Sequence, residues 1–223
     1  LKEAFFLLFS GDPETWGIVG RSLRFAFLST ILSLGPGLAL GIWMARRDDR
    51  PRRWAAAVVG ALTALPTVVV GLVVYALISR SGPLGAYGFL FAPTGVVLGQ
   101  SLLALPIVAS LAWSGLSRLD PRFHETVRTL GGRGFAWLGA TLREGAPVFA
   151  GAVVAAFGRV TGEVGVAMML GGNIRFSTRT MTTAIALDAA KGEFERAVSL
   201  GVVLLAVALI VNFLVHALRP HEG

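Results

Sequence analysis

Five apolar runs alternate along the chain with short polar segments that carry most of its arginines. They cover 25–45, 54–79, 93–116, 147–170 and 197–218. A helix needs roughly 20 apolar residues to cross a hydrocarbon core of about 30 Å, so each run predicts one membrane-spanning helix. The opening "LKEAFFLLFSGDPETWGIVG" is too short and too interrupted to span. Asp12-Pro13-Glu14 has the form of a helix cap, and 1–24 reads as an interfacial amphipathic helix leading into the first span. No basic start or small-residue cleavage site marks it as a signal peptide.

Each run contains residues a plain anchor does not need: Gly35-Pro36-Gly37, Pro66, Gln100 with Pro106, Arg159 with Glu163, and Asn212. The fourth is the most informative. In "FGRVTGEVG", Arg159 and Glu163 stand four apart, which predicts one helical face. At about 1.5 Å per residue from Pro147, they lie roughly 18 and 24 Å into the membrane. Charges at that depth face a bundle interior or a wet cavity and pair with one another. Gly158 and Gly162 form a GxxxG, with Gly165 beyond it, predicting a close helix crossing.

Composition agrees with the pattern. Of 223 residues, 54% are hydrophobic and 15% charged, with a mean hydropathy of +0.71, so the expected class is an all-α integral membrane protein. The net charge of +7 sits in arginine blocks between spans, where topology explains it better than nucleic-acid binding. Five arginines lie in 46–53 and five in 117–146. That side is expected to be cytoplasmic, which puts the N-terminus outside. With no internal repeat or linker, 1–223 reads as one membrane domain. Five spans cannot divide into two related halves, so a path through the chain calls for a second copy. The chain ends soon after the fifth span, and no regulatory domain is expected.

Absent residue types narrow the chemistry. There is no cysteine, no GxxxxGK phosphate loop, no HExxH and no GxSxG. His124, His216 and His221 form no metal-ligand pattern, and Ser114 and Asp120 read as ordinary span-end residues. An enzyme is therefore not expected, nor is ATP, Mg or any other cofactor on this chain. The segment 171–194, "GGNIRFSTRTMTTAIALDAAKGEF", is rich in hydroxyls and arginines. Its Asn173, Arg175, Thr178 and Arg179 suit a mouth for a hydrated oxyanion. A polar outer loop with a short helix explains the same composition. Together with Pro66, Arg159, Gly162 and Glu163 they are the candidate path or gate.

The segment 117–146 is patterned although it connects two spans. Phe123, Val127 and Leu130 form one apolar stripe, Gly131-Gly132-Arg133-Gly134 interrupts it, and Phe135, Leu138 and Leu142 begin another. Two short helices with a glycine bend either lie on the membrane surface or enter a groove on a partner.

Glu125, Thr126 and Val127 followed by Gly131 resemble the "EAA" loop of ABC-importer permeases, with Thr126 and Val127 where that loop has alanines. "LPTVVVGL", "SRSGPLG", "GRVTGEVG", "GGNI" and "TMTTAIALDAAKGEF" resemble the permeases of tungstate importers, a branch of the molybdate and sulfate group. The resemblance implies a MetI-like fold of five spans in a prokaryotic cell membrane. It makes His124, Glu125, Thr126, Val127, Leu130, Gly131 and Gly132 a coupling helix for an ATPase. It also implies the partners: a second copy, two ATPase subunits that hold the ATP and Mg, an extracytoplasmic oxyanion-binding protein and the lipid bilayer. Molybdate or sulfate as cargo, and an ATPase-independent channel or carrier, are the alternatives.

Overall fold

Helix formation begins where the sequence places a cap. In the computed structural model, which describes residues 12–46, 49–119, 121–132 and 134–217, the Asp12 carboxylate accepts from Thr15 N at 2.8 Å and from Thr15 Oγ1 at 2.6 Å. Pro13 takes the first helical position, where its missing N–H costs nothing. Helix α1 then runs unbroken over Pro13–Ala45. From Pro13 onward the expected interfacial lead-in is therefore the first part of the long helix. No residue between Pro13 and Ala45 stops it: Gly17 and Gly20 cost only propensity, and Pro36 is accommodated inside. Residues 1–11 of that expected element lie outside the described residues.

The other helices are α2 (Arg50–Thr63), α3 (Thr67–Ile78), α4 (Pro93–Leu116), α5 (Pro121–Thr129), α6 (Phe135–Glu144), α7 (Ala146–Thr161), α8 (Gly165–Gly171), α9 (Met181–Lys191) and α10 (Phe194–Ala217). Among the described residues a 3₁₀ turn occupies Gly85–Tyr87 and there is no strand. By length and composition, α1, α4 and α10 can each cross a membrane alone.

Two of the predicted runs are not single helices. The run 54–79 is α2 and α3, bent by 98°. Pro66 is the cause: it lacks an N–H and excludes helical geometry from the residue before it, and its own ψ of 123° starts a new helix. The run 147–170 is α7 and α8, separated at Gly162–Val164. Upstream, α6 and α7 meet at Gly145 with a 68° bend.

The deepest packing is the crossing of α1 on α4. A Cβ built on Gly41 would stand 2.7 Å from the Ala112 Cβ, and one on Gly37 2.9 Å from the Val108 Cβ. The pair is a GxxxG that brings the two backbones together; in hydrocarbon such dispersion contact is the main attraction between helices. Ala26, Ala104, Val108, Ala156 and Val160 fill the space where α7 joins them. Val74 and Ile78 of α3 pack on Leu103, Val166 and Leu170, holding α3 against α4 and α8. Ile18, Met181, Ala184 and Leu200 tie α9 and α10 to the start of α1. At the other end of α1, the Arg46 guanidinium lies 4.7 Å over the Trp137 ring of α6. The two arginine-rich segments therefore share one end of the bundle.

Candidate functional site

The first cluster is built on the break between α7 and α8. Arg159 is in the last turn of α7, and Glu163 follows the Gly162 cap. Arg159 Nη1 donates to Glu163 Oε2 at 2.9 Å, while Gly165 N and Val166 N donate to Glu163 Oε1 at 2.8 and 3.3 Å. A cation thus sits at the negative end of one helix and an anion at the positive end of the next. The carboxylate side chain is 4% exposed and the arginine side chain 45%. The pairing expected from the spacing is present, but across a helix break. Gly165 brings the second break alongside: a Cβ there would be 3.1 Å from Thr67 Oγ1. The start of α3, just after Pro66, thereby lies beside Gly165 and the Glu163 carboxylate that Arg159 and the Gly162 cap flank.

The expected GxxxG is only half a crossing. A Cβ on Gly158 would reach the Val211 Cγ1 of α10 at 2.5 Å, whereas one on Gly162 would meet only the Gly158 carbonyl, at 4.0 Å, and Gly162 ends its helix. Beneath this cluster a buried polar chain joins three helices. Ser29 Oγ donates to Gln100 Oε1 at 3.2 Å, and Gln100 Nε2 donates to the Val160 carbonyl at 3.4 Å. Gln100 was visible as a polar residue in an apolar run; its partner Ser29, on another helix, was not.

The second cluster gathers the mouth residues, and Glu14 organises it. Arg175 Nε and Nη2 both donate to the Glu14 carboxylate, the former at 2.9 Å. Arg179 Nη1 and Arg196 Nη1 approach it at 3.7 and 3.8 Å. Arg196 also grips the buried Asp188 carboxylate with two bonds of 2.7 Å. The Glu14 carboxylate beside exposed Arg175 holds that guanidinium's proton still more firmly than usual. Thr178 is fully buried; its hydroxyl donates to the Gly171 carbonyl and accepts from Ile174 N, so it closes the loop. Asn173 Nδ2 donates to the Thr183 carbonyl at 3.3 Å, while its Oδ1 and the Arg179 Nε are buried without a partner among the described residues. Glu14, Asp188 and Arg196 went unselected in the sequence because their importance is a matter of convergence from three helices. A bond from Thr182 Oγ1 to the Glu163 carbonyl, 2.8 Å, connects the two clusters.

The third region is α5 and α6. Gly131 has φ +77°, a left-handed geometry that suits glycine, and Gly132 N donates to the Val127 carbonyl at 2.8 Å to end α5. Thr126 is exposed and Val127 half-buried. Leu130 is 82% exposed and Phe135 92%, whereas Leu138 and Trp137 pack on Ile42, Leu116 and Phe149. Of the expected second stripe, Leu138 packs on the bundle, whereas Phe135 and Leu142 are exposed. The side chains of His124 and Glu125, and Arg133 entirely, lie outside the described residues.

Residues 37–222 match the family described as the binding-protein-dependent transport system inner membrane component. The chain belongs to this family. It is 36% identical to the tungstate uptake system permease protein TupB of Campylobacter jejuni over 98% of this chain and 91% of the relative. Identity to TupB of Peptoclostridium acidaminophilum is 33%, over 98% and 96% of the two chains. A chain of the MetNI methionine ABC transporter has the same fold, with a TM-score of 0.73 at 17% identity, over 94% of this chain and all of that one. As a member of this family, the chain is a transport component of a membrane.

Proposed function

We propose that this chain is the permease subunit of an ATP-driven importer for a tetrahedral oxyanion, tungstate foremost. The carrying observation is its similarity to two tungstate permeases over 98% of its length. The polar break inside an apolar bundle supports it: Arg159, Glu163, Gly162 and Pro66 form a place where guanidinium donors can meet a passing oxyanion. In this reading each of the runs 54–79 and 147–170 crosses once despite its break, giving five spans with the N-terminus outside. Two copies enclose the path, in the membrane of a prokaryotic cell.

The end bearing Arg46 and Trp137 faces the cytoplasm, and α5 with its glycine bend is the coupling element. His124, Glu125, Thr126, Val127, Leu130, Gly131 and Gly132 belong to the surface that meets the ATPase, and the exposed Leu130 and Phe135 supply apolar contact. ATP and Mg belong to that partner. The Glu14 cluster lies at the outer mouth, where an extracytoplasmic binding protein delivers the anion. There Asn173, Arg175 and Arg179 line the entrance, and Thr178 holds their loop.

Proteoliposomes test this directly. ATP-dependent uptake of tungstate is expected only when permease, ATPase and binding protein are all present. Uptake by the permease alone would support a channel or carrier instead. Preferential transport of molybdate or sulfate would reassign the cargo within the group.

A further inference from the structure

The Arg159–Glu163 pair is unequally shared. Both oxygens of Glu163 are occupied, one by Arg159 Nη1 and the other by two backbone N–H groups of α8. Arg159 gives only one nitrogen to this pair. Its Nη2 and Nε have no partner among the described residues, and nearly half of its side chain is accessible. A guanidinium with open donors, in the last turn of a helix within the apolar bundle, is not stable against lipid tails. The helix face that carries it must meet water, an anion or another polar surface.

Resting on the importer reading, we propose that Arg159 contacts the transported oxyanion, and that two copies of the chain place two such guanidiniums around one tetrahedral dianion. The stoichiometry follows from symmetry: in a twofold dimer any residue facing the shared path appears twice. The open edge of each guanidinium is a planar fork of N–H donors, matched to a pair of oxygens on one anion. Glu163 is the positioning residue. Anchored by the N-terminus of α8, it fixes one nitrogen of Arg159 and turns the others outward. It also moderates the pull on the anion, because part of the guanidinium charge is already compensated. A conduit needs such weak contact, since its cargo must leave as readily as it enters.

The test uses the complete transporter in proteoliposomes, with tungstate uptake measured by mass spectrometry of the vesicle contents. Arg159→Gln is expected to lower the initial rate by more than tenfold. The deciding variant is Arg159→Gln/Glu163→Gln, which removes both charges. A purely structural ion pair predicts recovery in this double variant, so a rate above one third of wild type overturns the proposal. A rate below one third, in protein that stays dimeric and monodisperse, supports it. Should neither neutral variant yield monodisperse protein, Arg159→Lys decides. It keeps the charge and loses the fork, and a rate below one third of wild type supports the proposal while a higher one overturns it.

A phospholipid headgroup offers the same phosphate-like oxygens, so every variant is assayed in zwitterionic vesicles and in vesicles containing anionic phospholipid. Equal defects in both support the cargo as ligand; a defect confined to anionic vesicles assigns Arg159 to lipid and overturns it. Wild-type protein that imports no oxyanion in response to ATP refutes the importer reading itself, whatever the variants do.

Discussion

Asp12 illustrates how much a single side chain does at a helix start. Its carboxylate takes both the hydroxyl and the backbone N–H of Thr15. Those bonds, the side-chain one first, hold its pKa below the ordinary aspartate value. Because the folded pKa is depressed, the stabilisation is complete above the usual carboxylate range near pH 3.9 and is lost as pH falls through the folded value. Asp12→Ala is expected to cost about 1 kcal/mol, seen as a melting temperature lower by roughly 2–4 °C in detergent at neutral pH. Asp12→Asn preserves the cap and removes the ionisation. Its melting temperature should decline less on acidification than that of the wild type, and equal declines would show that the carboxylate charge contributes nothing.

Helices that look interrupted in sequence are interrupted for different physical reasons. Pro36 and Pro106 stay within long helices, since neighbouring helices and polar side chains can satisfy the freed carbonyls. Pro66 instead separates two helices bent by 98°. Close packing discriminates in the same way among glycines. Gly41→Leu drives side-chain atoms into Ala109 and Ala112 on α4 and should destroy the α1–α4 crossing, read as aggregation on size-exclusion chromatography. Gly60, in α2, has no neighbour within 4 Å of a built Cβ. Gly60→Ala should be neutral or stabilising by up to about 1 kcal/mol through helix propensity alone. Comparable aggregation of both variants would contradict the crossing.

For the whole molecule, the two ends of the bundle are chemically distinct. One joins Glu14, Asp188, Arg175, Arg179 and Arg196 in a single ionic network. The other leaves Leu130 and Phe135 exposed beside a tightly turned Gly131. A surface of that kind is expected to be covered in the assembled transporter. Leu130→Asp should reduce co-purification of the ATPase subunit by tenfold or more while the permease remains monodisperse. Glu125→Ala should weaken the same association. Unchanged co-purification and transport in both would move the coupling contact elsewhere.

The sequence by itself determined the class of the protein. Apolar runs of span length and arginine blocks at alternate connections are local properties, and each is set by the chain's exchange between water and lipid. The helix cap at Asp12 and the spacing of Arg159 and Glu163 were legible for the same reason, since both depend on neighbours within a turn or so. Tertiary structure decided where the helices break and what meets at the breaks. Whether a proline bends, breaks or is absorbed depends on the groups packed around it. The union of Glu14 with Arg175, Arg179 and Arg196, or of Ser29 with Gln100, comes from residues far apart in the chain. No periodicity encodes such meetings, because they exist only once helix crossings, set by side-chain volume at Gly37 and Gly41, have brought the elements together.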